Sequence, residues 1–450
     1  MTKEACQQIL RNTAITVYLA DWLVRKMKKR EALTILTDEK QDFIETITPK
    51  KIKNHDGKRF TRKRLLFLSN ILAIILRCSP FSLQIRLDDY YKAINCVEET
   101  VSKQAFSKAR TYLDPEIVRK SFQLTARTLS SCEDLELYRE KYRLCAVDGS
   151  NIALDNATVL LEHFGGSGSK KDCATALASI CYDPLNNIIL DGGLYPYGTS
   201  ERYAAGFHFR EISKLPLPEG AKNLFIFDRG YPSKELLAEM IDADMCFLMR
   251  VRRKFNVDFD LSKGNEKVSF NYNGKRYQVR VFKIVLDSGE TEILITNLRA
   301  LHLSKKEVGD LYFKRWGIEV KFDSLKNKLE LENMSGRRVV TTYQDFWAKL
   351  DLANTLAALE FQTDAIIDER NDASNNKYMQ RTNENRLITK FSERYLEVLV
   401  TENRDERMTL LNELIKDIAR RPVEVKPDRK YERKPPRKKK FCDRRKRVLR

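Results

Sequence analysis

The central part of the chain alternates short apolar runs with amphipathic segments. The apolar runs, which predict buried strands, are 144–148, 174–182, 187–194, 223–228 and 245–250. Helical spacing covers 201–215 before the fourth run, and Ser233 caps a second helical segment before the fifth. Strands that alternate with helices predict an α/β fold whose sheet is covered on both faces.

A two-residue alternation of apolar and polar side chains follows the last of these runs. Lys267–Tyr272 and Tyr277–Leu286 alternate in this way, and Asn273-Gly274 lies between them. Asn-Gly between two such runs is a strong signal for a β-hairpin. After a turn, 291–296 predicts a further strand, so an antiparallel β insertion is expected over 251–300.

The flanking regions have a helical pattern. Helices are predicted within 1–50, at 65–76, after Ser82, after Ser102, at 341–367 and, as a pair, within 387–418. Lys103, Lys108 and Arg110 lie on the predicted exposed face of the helix that begins after Ser102. Short helices in series with a basic one among them are typical of a helix-turn-helix-like DNA-binding region, or of a plain helical bundle.

The segment from Ser304 to Glu330 contains no Pro and predicts one helix. Its apolar stripe consists of Leu311, Ile318, Phe322, Leu325 and Leu329. At roughly 100° per residue, a second stripe falls within an arc of about 60° and consists of Tyr312, Arg315, Glu319 and Lys326. A carboxylate among Arg, Lys and Tyr suits a metal ligand whose neighbours hold phosphates. The alternative is a solvated helix face with i,i+4 ion pairs such as Arg315–Glu319.

The positive charge of the chain is strongly uneven. Lys and Arg number 82 against 63 Asp and Glu, a net charge of +19. Residues 420–450 contain 16 basic and 4 acidic residues, which leaves +7 for the other 419 residues. Nucleic acid is the natural polyanion for such a basic arm, with a membrane surface or simple solubility as the alternatives.

The sequence disfavours a membrane protein, a secreted protein and a zinc-binding protein. No apolar run is long enough to span a membrane, and the N-terminus lacks a signal-peptide pattern. The nine Cys and four His form no zinc-binding spacing. We therefore expect a cytoplasmic protein without a membrane partner.

Three acidic residues form the candidate site. Asp148 and Asp228 each end a predicted strand, and the carboxyl ends of strands share one edge of an open sheet. Glu319 comes from a helix that is expected to pack on the same sheet. Three carboxylates in a small space repel one another unless hard cations neutralise them, and two Mg²⁺ or Mn²⁺ ions would do so. Each aspartate taken alone also fits a turn or cap residue.

With these residues in view, the chain resembles the DDE transposases of the bacterial insertion sequence 4 family. Three blocks carry the resemblance: Ala146-Val-Asp-Gly-Ser150, Ile226-Phe-Asp-Arg-Gly-Tyr231, and the ungapped Tyr312/Arg315/Glu319/Lys326 spacing that is the family's signature. The resemblance extends over roughly residues 65–360. It implies a ribonuclease H-like catalytic fold and cut-and-paste DNA transposition.

The resemblance also implies roles for individual residues. The implied catalytic and metal-binding carboxylates, with Mg²⁺ or Mn²⁺ as two ions, are Asp148, Asp228 and Glu319. The implied contacts to DNA phosphates are Tyr312, Arg315 and Lys326. Arg229, directly after the second aspartate, is a further candidate phosphate contact, with an ion pair as the alternative.

The implied partner is double-stranded DNA, as the terminal inverted repeats of the element and as target DNA. Because two ends must be brought together, a homodimer is expected in the synaptic complex, in the bacterial cytoplasm and at the nucleoid when DNA is bound. Two alternatives remain: a metal-dependent DNA nuclease that cuts without joining, and a catalytically silent transposase-derived DNA-binding protein.

Aromatic residues of the insertion bear on a further step. Related transposases cleave through a DNA hairpin and stack a flipped base on an aromatic side chain, often a Trp of the insertion. The Trp residues here are 22, 316 and 347, so either Tyr272, Tyr277 or Phe282 stacks the base or the step differs. Trp316 is expected to pack, and Glu201 is interpreted as a helix-start residue favoured by the helix dipole.

These patterns divide the chain into four predicted regions. They are a helical N-terminal DNA-binding region (1–135), a ribonuclease H-like catalytic domain with the β insertion (136–365), a helical C-terminal region (366–420) and a basic tail that is expected to be disordered (421–450).

Overall fold

The computed structural model describes most of the chain between residues 27 and 426. The described ranges are 27–47, 60, 65–77, 82–96, 101–169, 171–286, 288–298 and 303–426. The helix expected before residue 27, Trp22 and the basic tail from residue 427 onward lie outside the described residues.

One mixed sheet forms the centre of the described chain. Its strands are β1 (Tyr142–Ala153), β2 (Gly166–Ser167), β3 (Cys173–Asp183), β4 (Ile188–Pro196), β5 (Lys222–Phe227), β6 (Cys246–Val251), β7 (Glu266–Tyr272), β8 (Lys275–Val285) and β9 (Thr291–Thr296). The strand order is β4-β3-β1-β5-β6-β9-β8-β7, and β2 also pairs with β3. The β1–β5 and β5–β6 pairs are parallel and the others are antiparallel. The predicted α/β class is confirmed.

Helices surround this sheet. They are α1 (Lys29–Glu45), α2 (Leu68–Leu76), α3 (Leu83–Ala93), α4 (Lys103–Arg110), α5 (Pro115–Ser130), α6 (Thr158–Phe164), α7 (Glu201–Ile212), α8 (Lys234–Asp242), α9 (Val257–Leu261), α10 (Lys305–Phe313), α11 (Trp316–Asn327), α12 (Val339–Asp372), α13 (Glu384–Val400) and α14 (Arg404–Ala419). A small second sheet pairs β10 (Gln380–Arg381) with β11 (Val423–Glu424). Within the described residues, no helix combines the length and apolarity that a membrane span requires.

Local signals place most helix starts. The hydroxyls of Ser82, Ser102 and Ser233 accept hydrogen bonds from backbone N–H groups of the first turns of α3, α4 and α8, as the sequence predicts. Helix α5 was not predicted, although Asp114 caps it and Pro115 occupies its first position. An N-cap aspartate followed by proline is the sequence signal that predicts the start of this helix.

The predicted hairpin is present, and it extends the central sheet. Asn273 and Gly274 have φ angles of 46° and 74° between β7 and β8, the left-handed region that a tight two-residue hairpin requires. Strand β9 pairs antiparallel with β6, with Leu248 opposite Thr296. The insertion therefore continues the central sheet beyond β6.

The long helix α12 packs the N-terminal helices and the sheet together. The Asn354 side chain bonds both backbone groups of Ile189 in β4, with both distances at 2.8 Å. Leu33 of α1 belongs to the same buried apolar cluster as Phe225 of β5 and Leu356 of α12. Helices from the N-terminal region thus share a core with the sheet.

The expectation that Arg110 lies on an exposed basic face is wrong. The Arg110 side chain is 3% exposed, and its guanidinium bonds Gln344 at 2.9 Å and Asp345 at 2.8 Å on α12. The desolvation cost of burying this charge is offset by the ion pair and the hydrogen bonds. Lys103 and Lys108 of the same helix are exposed, as predicted.

The single helix predicted over 304–330 is two helices, α10 and α11. Lys314 and Arg315 form the turn between them, where backbone N–H groups bond the third residue before them, as in a 3₁₀ turn. Directly after the turn, a Cβ at Gly317 would lie 3.0 Å from Pro184 Cβ, so this close approach favours glycine. The predicted apolar stripe is otherwise confirmed, with Leu311, Ile318 and Phe322 among its buried members.

Candidate active site

The register of two parallel strands brings Asp148 and Asp228 together. Ala146 of β1 pairs with Ile226 of β5, and each aspartate follows two residues later. Because side chains alternate between the faces of a strand, both aspartates project to the same face as that pair. Neighbouring strands are about 4.8 Å apart, so the two carboxylates are neighbours.

Asp148 does not end its strand, contrary to expectation. Strand β1 continues to Ala153 through antiparallel pairing with β3, in which Asp148 lies opposite Ile180. The parallel partner β5 does end, at Phe227, so Asp148 lies where β1 loses its neighbour on that side. Pairing with β3 thus extends the strand beyond the end that the local sequence predicts.

Backbone groups fix both carboxylates. The Gly149 N–H donates to Asp148 Oδ1 at 2.9 Å, and the Gly230 N–H donates to Asp228 Oδ1 at 2.7 Å. Burial raises the pKa of Asp148 from 3.8 to about 7, and the negative charges of Asp228 and Glu201 add to this effect. The Gly149 hydrogen bond and the charge of Arg315 oppose it. Asp148 is therefore a carboxyl that holds its proton more firmly than usual unless a cation is near.

Glu201, the first residue of α7, joins the aspartate pair. A Cβ at Gly149 would lie 3.1 Å from Glu201 Oε1, and a Cβ at Gly230 would lie 3.8 Å from Glu201 Oε2. Burial raises the pKa of Glu201, and the charge of Asp228 raises it further. From the sequence, Glu201 is predicted only as a helix-start residue, because no local sequence pattern relates it to either aspartate.

Glu319 is linked to the aspartates through Arg315. Arg315 Nη2 donates to Glu319 Oε1 at 2.6 Å, one turn apart on α11. The same guanidinium is close enough to lower the pKa of Asp148. In the described part of the chain, no three acidic, His or Cys side chains lie close enough to hold one metal ion. The structure thus brings Asp148 and Asp228 together and leaves Glu319 in an ion pair beside them.

The predicted phosphate contacts surround this group of carboxylates. Tyr312 is 8% exposed, its ring lies 5.6 Å from the guanidinium of Arg315, and burial raises its pKa to about 12. Lys326 Nζ donates at 2.7 Å to the carbonyl oxygen of Asn151, three residues after Asp148. Arg229 is exposed in the turn after β5.

The side chains of Asp148 and Asp228 provide the type of ligand atom that a divalent cation requires. Carboxylate oxygens are the ligands that Mg²⁺ and Mn²⁺ prefer, and a cation would stabilise the charged form of Asp148, whose pKa is raised by burial and, to a smaller extent, by neighbouring negative charges. Asp148 and Asp228 lie together at one edge of the sheet, whereas Glu319 is paired with Arg315 Nη2.

Two aromatic candidates for base stacking are buried. Tyr277 stacks on Phe270 at a centroid distance of 5.5 Å, and its hydroxyl bonds Asp242 at 2.9 Å. Phe282 is fully buried in the core. Trp316 was expected to pack, but 42% of it is exposed at the start of α11.

The chain is similar to a solved structure and to a family model. Among solved structures, the chain is similar to the cryo-EM structure of the piggyBac transposase synaptic complex with hairpin DNA. The two are 11% identical with a TM-score of 0.39, over 90% of this chain and 79% of that chain. No curated protein matches the chain.

A family model covers the part of the chain that holds most of the site. Residues 139–354 match the family described as transposase DDE domain, which includes β1, β5, α7 and α11. This match supports the function of a DNA transposase.

Proposed function

We propose that this DNA transposase uses Asp148, Asp228 and Glu319 as its catalytic carboxylates and acts on the ends of a mobile element. The observation that carries the proposal is the Ala146–Ile226 register, which makes Asp148 and Asp228 neighbours inside the transposase DDE domain. Two aspartates on adjacent strands and a glutamate from a helix after the insertion form the carboxylate set of the insertion sequence 4 family.

The strand order supports a ribonuclease H-like core as part of this proposal. An antiparallel meander, β1, β3 and β4, is followed by β5 and β6, which run parallel to β1 on its other side. Helix α7 connects the meander to β5, and α8 connects β5 to β6. The candidate carboxylates lie at the junction between the antiparallel and parallel halves.

Divalent cations bound by these carboxylates would supply Lewis-acid stabilisation of the phosphodiester and an activated oxygen nucleophile. The chain's own groups hold the site ready for them. The N–H groups of Gly149 and Gly230 fix the rotamers of the two aspartates. Arg315 holds Glu319 until DNA phosphate, a bidentate partner for a guanidinium, competes for it.

We infer phosphate contacts for the basic residues around the carboxylates. Arg229 is exposed beside Asp228, and Arg315 lies between Asp148 and Glu319. Tyr312, whose ring lies beside the Arg315 guanidinium, and Lys326, which donates to the Asn151 carbonyl oxygen, are the further phosphate contacts. The partner is double-stranded DNA, bound as element ends and as target by a homodimer, with the basic residues of 420–450 on the same polyanion.

The reaction then has two stages. Hydrolysis of a phosphodiester frees a 3′-hydroxyl at the element end and leaves a 5′-phosphate on the flanking strand. That hydroxyl then attacks a target phosphodiester in line and displaces the 3′-oxygen of the target strand, with no covalent enzyme intermediate. The test is incubation of the full chain with DNA that carries the native element ends, with and without Mg²⁺, followed by sequencing of the products.

Three results distinguish the outcomes. Mg²⁺-dependent cuts at the element boundary, with ends joined to new DNA, support the proposal. Cuts without joined products would instead assign a nuclease, and binding without cuts would assign a silent DNA-binding protein.

A further inference from the structure

Helices α7 and α11 cover opposite faces of the central sheet. Val147 of β1 shares a buried apolar cluster with Ala205 of α7, whereas its neighbour Ala146 shares a different cluster with Ile318 of α11. Successive residues of a strand point to opposite faces, so the two helices lie on opposite sides of β1. The phosphate contacts proposed on α10 and α11 therefore all lie on one side of the sheet edge that holds the aspartates.

The outward side of α7 combines arginine and aromatic side chains. The residues of this outer stripe are Arg202, Tyr203, Gly206, Phe207 and Arg210. Tyr203 is 62% exposed, and its ring lies edge-on to that of Phe207 at a centroid distance of 5.1 Å. The Arg210 guanidinium lies 5.5 Å from the Phe207 ring. An ordinary solvated helix face carries charged and polar side chains, whereas guanidiniums that flank exposed rings suit a phosphate backbone.

The outer stripe starts at the edge of the sheet that holds the aspartates. Glu201, directly before Arg202, has its carboxylate beside Gly149 and Gly230. From Arg202 to Arg210 the helix extends about 12 Å, which corresponds to about three or four base pairs of duplex DNA. DNA that crosses the edge of the sheet can therefore continue along the stripe.

Gly206 lies in the middle of the outer stripe, where the chain itself does not require glycine. Its backbone is helical, and a Cβ there would meet no atom within 4 Å among the described residues beyond the neighbouring backbone of α7. Glycine is less favourable than alanine inside a helix. The missing side chain leaves room for the backbone of a bound molecule to approach the helix closely.

A buried polar chain fixes α7 on the sheet. His208 Nδ1 lies 2.7 Å from Asp191 of β4, and its Nε2 lies 2.8 Å from the hydroxyl of Ser179 in β3. All three side chains are buried. The outer stripe is thus presented on a helix that is held in place before any DNA binds.

We propose that the outer stripe of α7 binds the DNA that flanks the element end, across the scissile phosphodiester from the DNA at α10 and α11. Arg202 and Arg210 contact phosphates, the Tyr203 ring packs against the same strand, and Gly206 permits the close approach. The acidic residue at the far end, Glu211, is paired with Lys214 at 2.8 Å, so its charge is compensated. This inference rests on the proposed function, because only an element end has flanking DNA.

The test is binding of two duplexes to the full chain without Mg²⁺, measured by fluorescence anisotropy. One duplex carries the element end and one helical turn, about 10 bp, of flanking DNA, and the other stops at the element end. The wild type should bind the flanked duplex more tightly. Gly206→Leu should weaken binding of the flanked duplex by at least about 10-fold and leave the other unchanged. Equal binding of the two duplexes by the wild type, or of the flanked duplex by both proteins, would refute the proposal.

Charge variants test the phosphate contacts. Arg202→Gln and Arg210→Gln should each reduce the salt dependence of flanked-duplex binding, the slope of log K against log salt, by about 1. Arg404→Gln is the matched control, because the Arg404 side chain on α14 is 67% exposed and that of Arg210 is 66% exposed. If Arg404→Gln lowered the slope for the flanked duplex alone, as Arg210→Gln is expected to do, net charge would explain the effect and the proposal would be wrong.

Folding and the proposed function are checked separately. The Gly206→Leu protein should melt at or above the wild-type temperature, because leucine favours a helix and its side chain enters open space. A lower melting temperature would show that the chain itself needs Gly206 and would contradict the close approach. If the wild type makes no Mg²⁺-dependent cut in the flanked duplex, the proposed function fails. If it cuts and Gly206→Leu binds the flanked duplex normally, only the role of the outer stripe fails.

Discussion

Arg315 and Glu319 form an ion pair, 2.6 Å between Nη2 and Oε1, immediately beside the Asp148–Asp228 pair. The sequence allowed this pair as an ordinary i,i+4 contact on a solvated face. Because the pair lies beside two further carboxylates, the Arg315 guanidinium also acts on Asp148, whose pKa it lowers. Arg315 thus neutralises part of the negative charge of Asp148 and Glu319 in the absence of a metal ion.

The first prediction concerns Arg315→Gln. Cleavage of element-end DNA should fall by about 100- to 1,000-fold, the usual effect of removing one group that stabilises transition-state charge. Binding of Mn²⁺ without DNA should become tighter, because a positive charge beside Asp148 and Glu319 is lost. Calorimetry and a cleavage time course measure the two effects. Weaker Mn²⁺ binding in a folded variant would show that Arg315 supports the metal site instead of competing with it.

The second prediction concerns Asp228→Asn. DNA cleavage should fall by at least about 100-fold while DNA binding, measured by fluorescence anisotropy, stays within about twofold of the wild type. Asp258→Asn is the control, because Asp258 is exposed at the start of α9. If Asp228→Asn retained full cleavage, Asp228 would have no place in the active site.

The features that were predicted correctly from the sequence depend on local signals. Strands with buried alternation, Ser caps and the Asn273-Gly274 turn depend on nearest neighbours, and the structure has them where expected. The sequence predicted that Asp148 and Asp228 lie at the same edge of the sheet, and that they are side by side if the first and fourth strands are neighbours. The pairing of β1 with β5 makes these strands neighbours.

The features that the sequence did not reveal depend on long-range contacts. Glu201 lies beside Gly149 and Gly230 on a helix, α7, that is anchored through His208 to two strands. The break between α10 and α11 lies beside the close approach of Gly317 to Pro184, more than 130 positions earlier in the chain. Helical periodicity cannot distinguish one helix from two when a tight turn keeps the faces nearly aligned.

The third prediction is a pH dependence of stability without metal. The pKa of Asp148 is raised to about 7, chiefly by burial, so the folded protein binds this proton more firmly than the unfolded chain. The resulting stabilisation is complete below about pH 4 and is lost as the pH rises through about 7. Asp148→Asn, which stays neutral, should lack this loss, which amounts to about 1.4 kcal/mol for each pKa unit at most.

Denaturant unfolding of both proteins at a series of pH values measures the difference. The comparison with Asp148→Asn is necessary because burial also raises the pKa of Glu39 to about 7 and that of Asp183 to about 6. Saturating Mg²⁺ should reduce the difference between the two proteins, because a cation stabilises the charged carboxylate. Parallel stability curves for the two proteins would contradict the raised pKa.

The last prediction separates structural from DNA-facing basic residues on α4. Arg110→Ala should lower the free energy of unfolding by about 3–5 kcal/mol, because it leaves the buried Asp345 carboxylate unpaired. Lys108→Ala, at an exposed position of the same helix, should change stability by less than about 0.5 kcal/mol. If α4 faces DNA, Lys108→Ala should instead weaken binding and make it less dependent on salt. A stable Arg110→Ala protein with weakened DNA binding would contradict this assignment, because Arg110 would then act on DNA and not on α12.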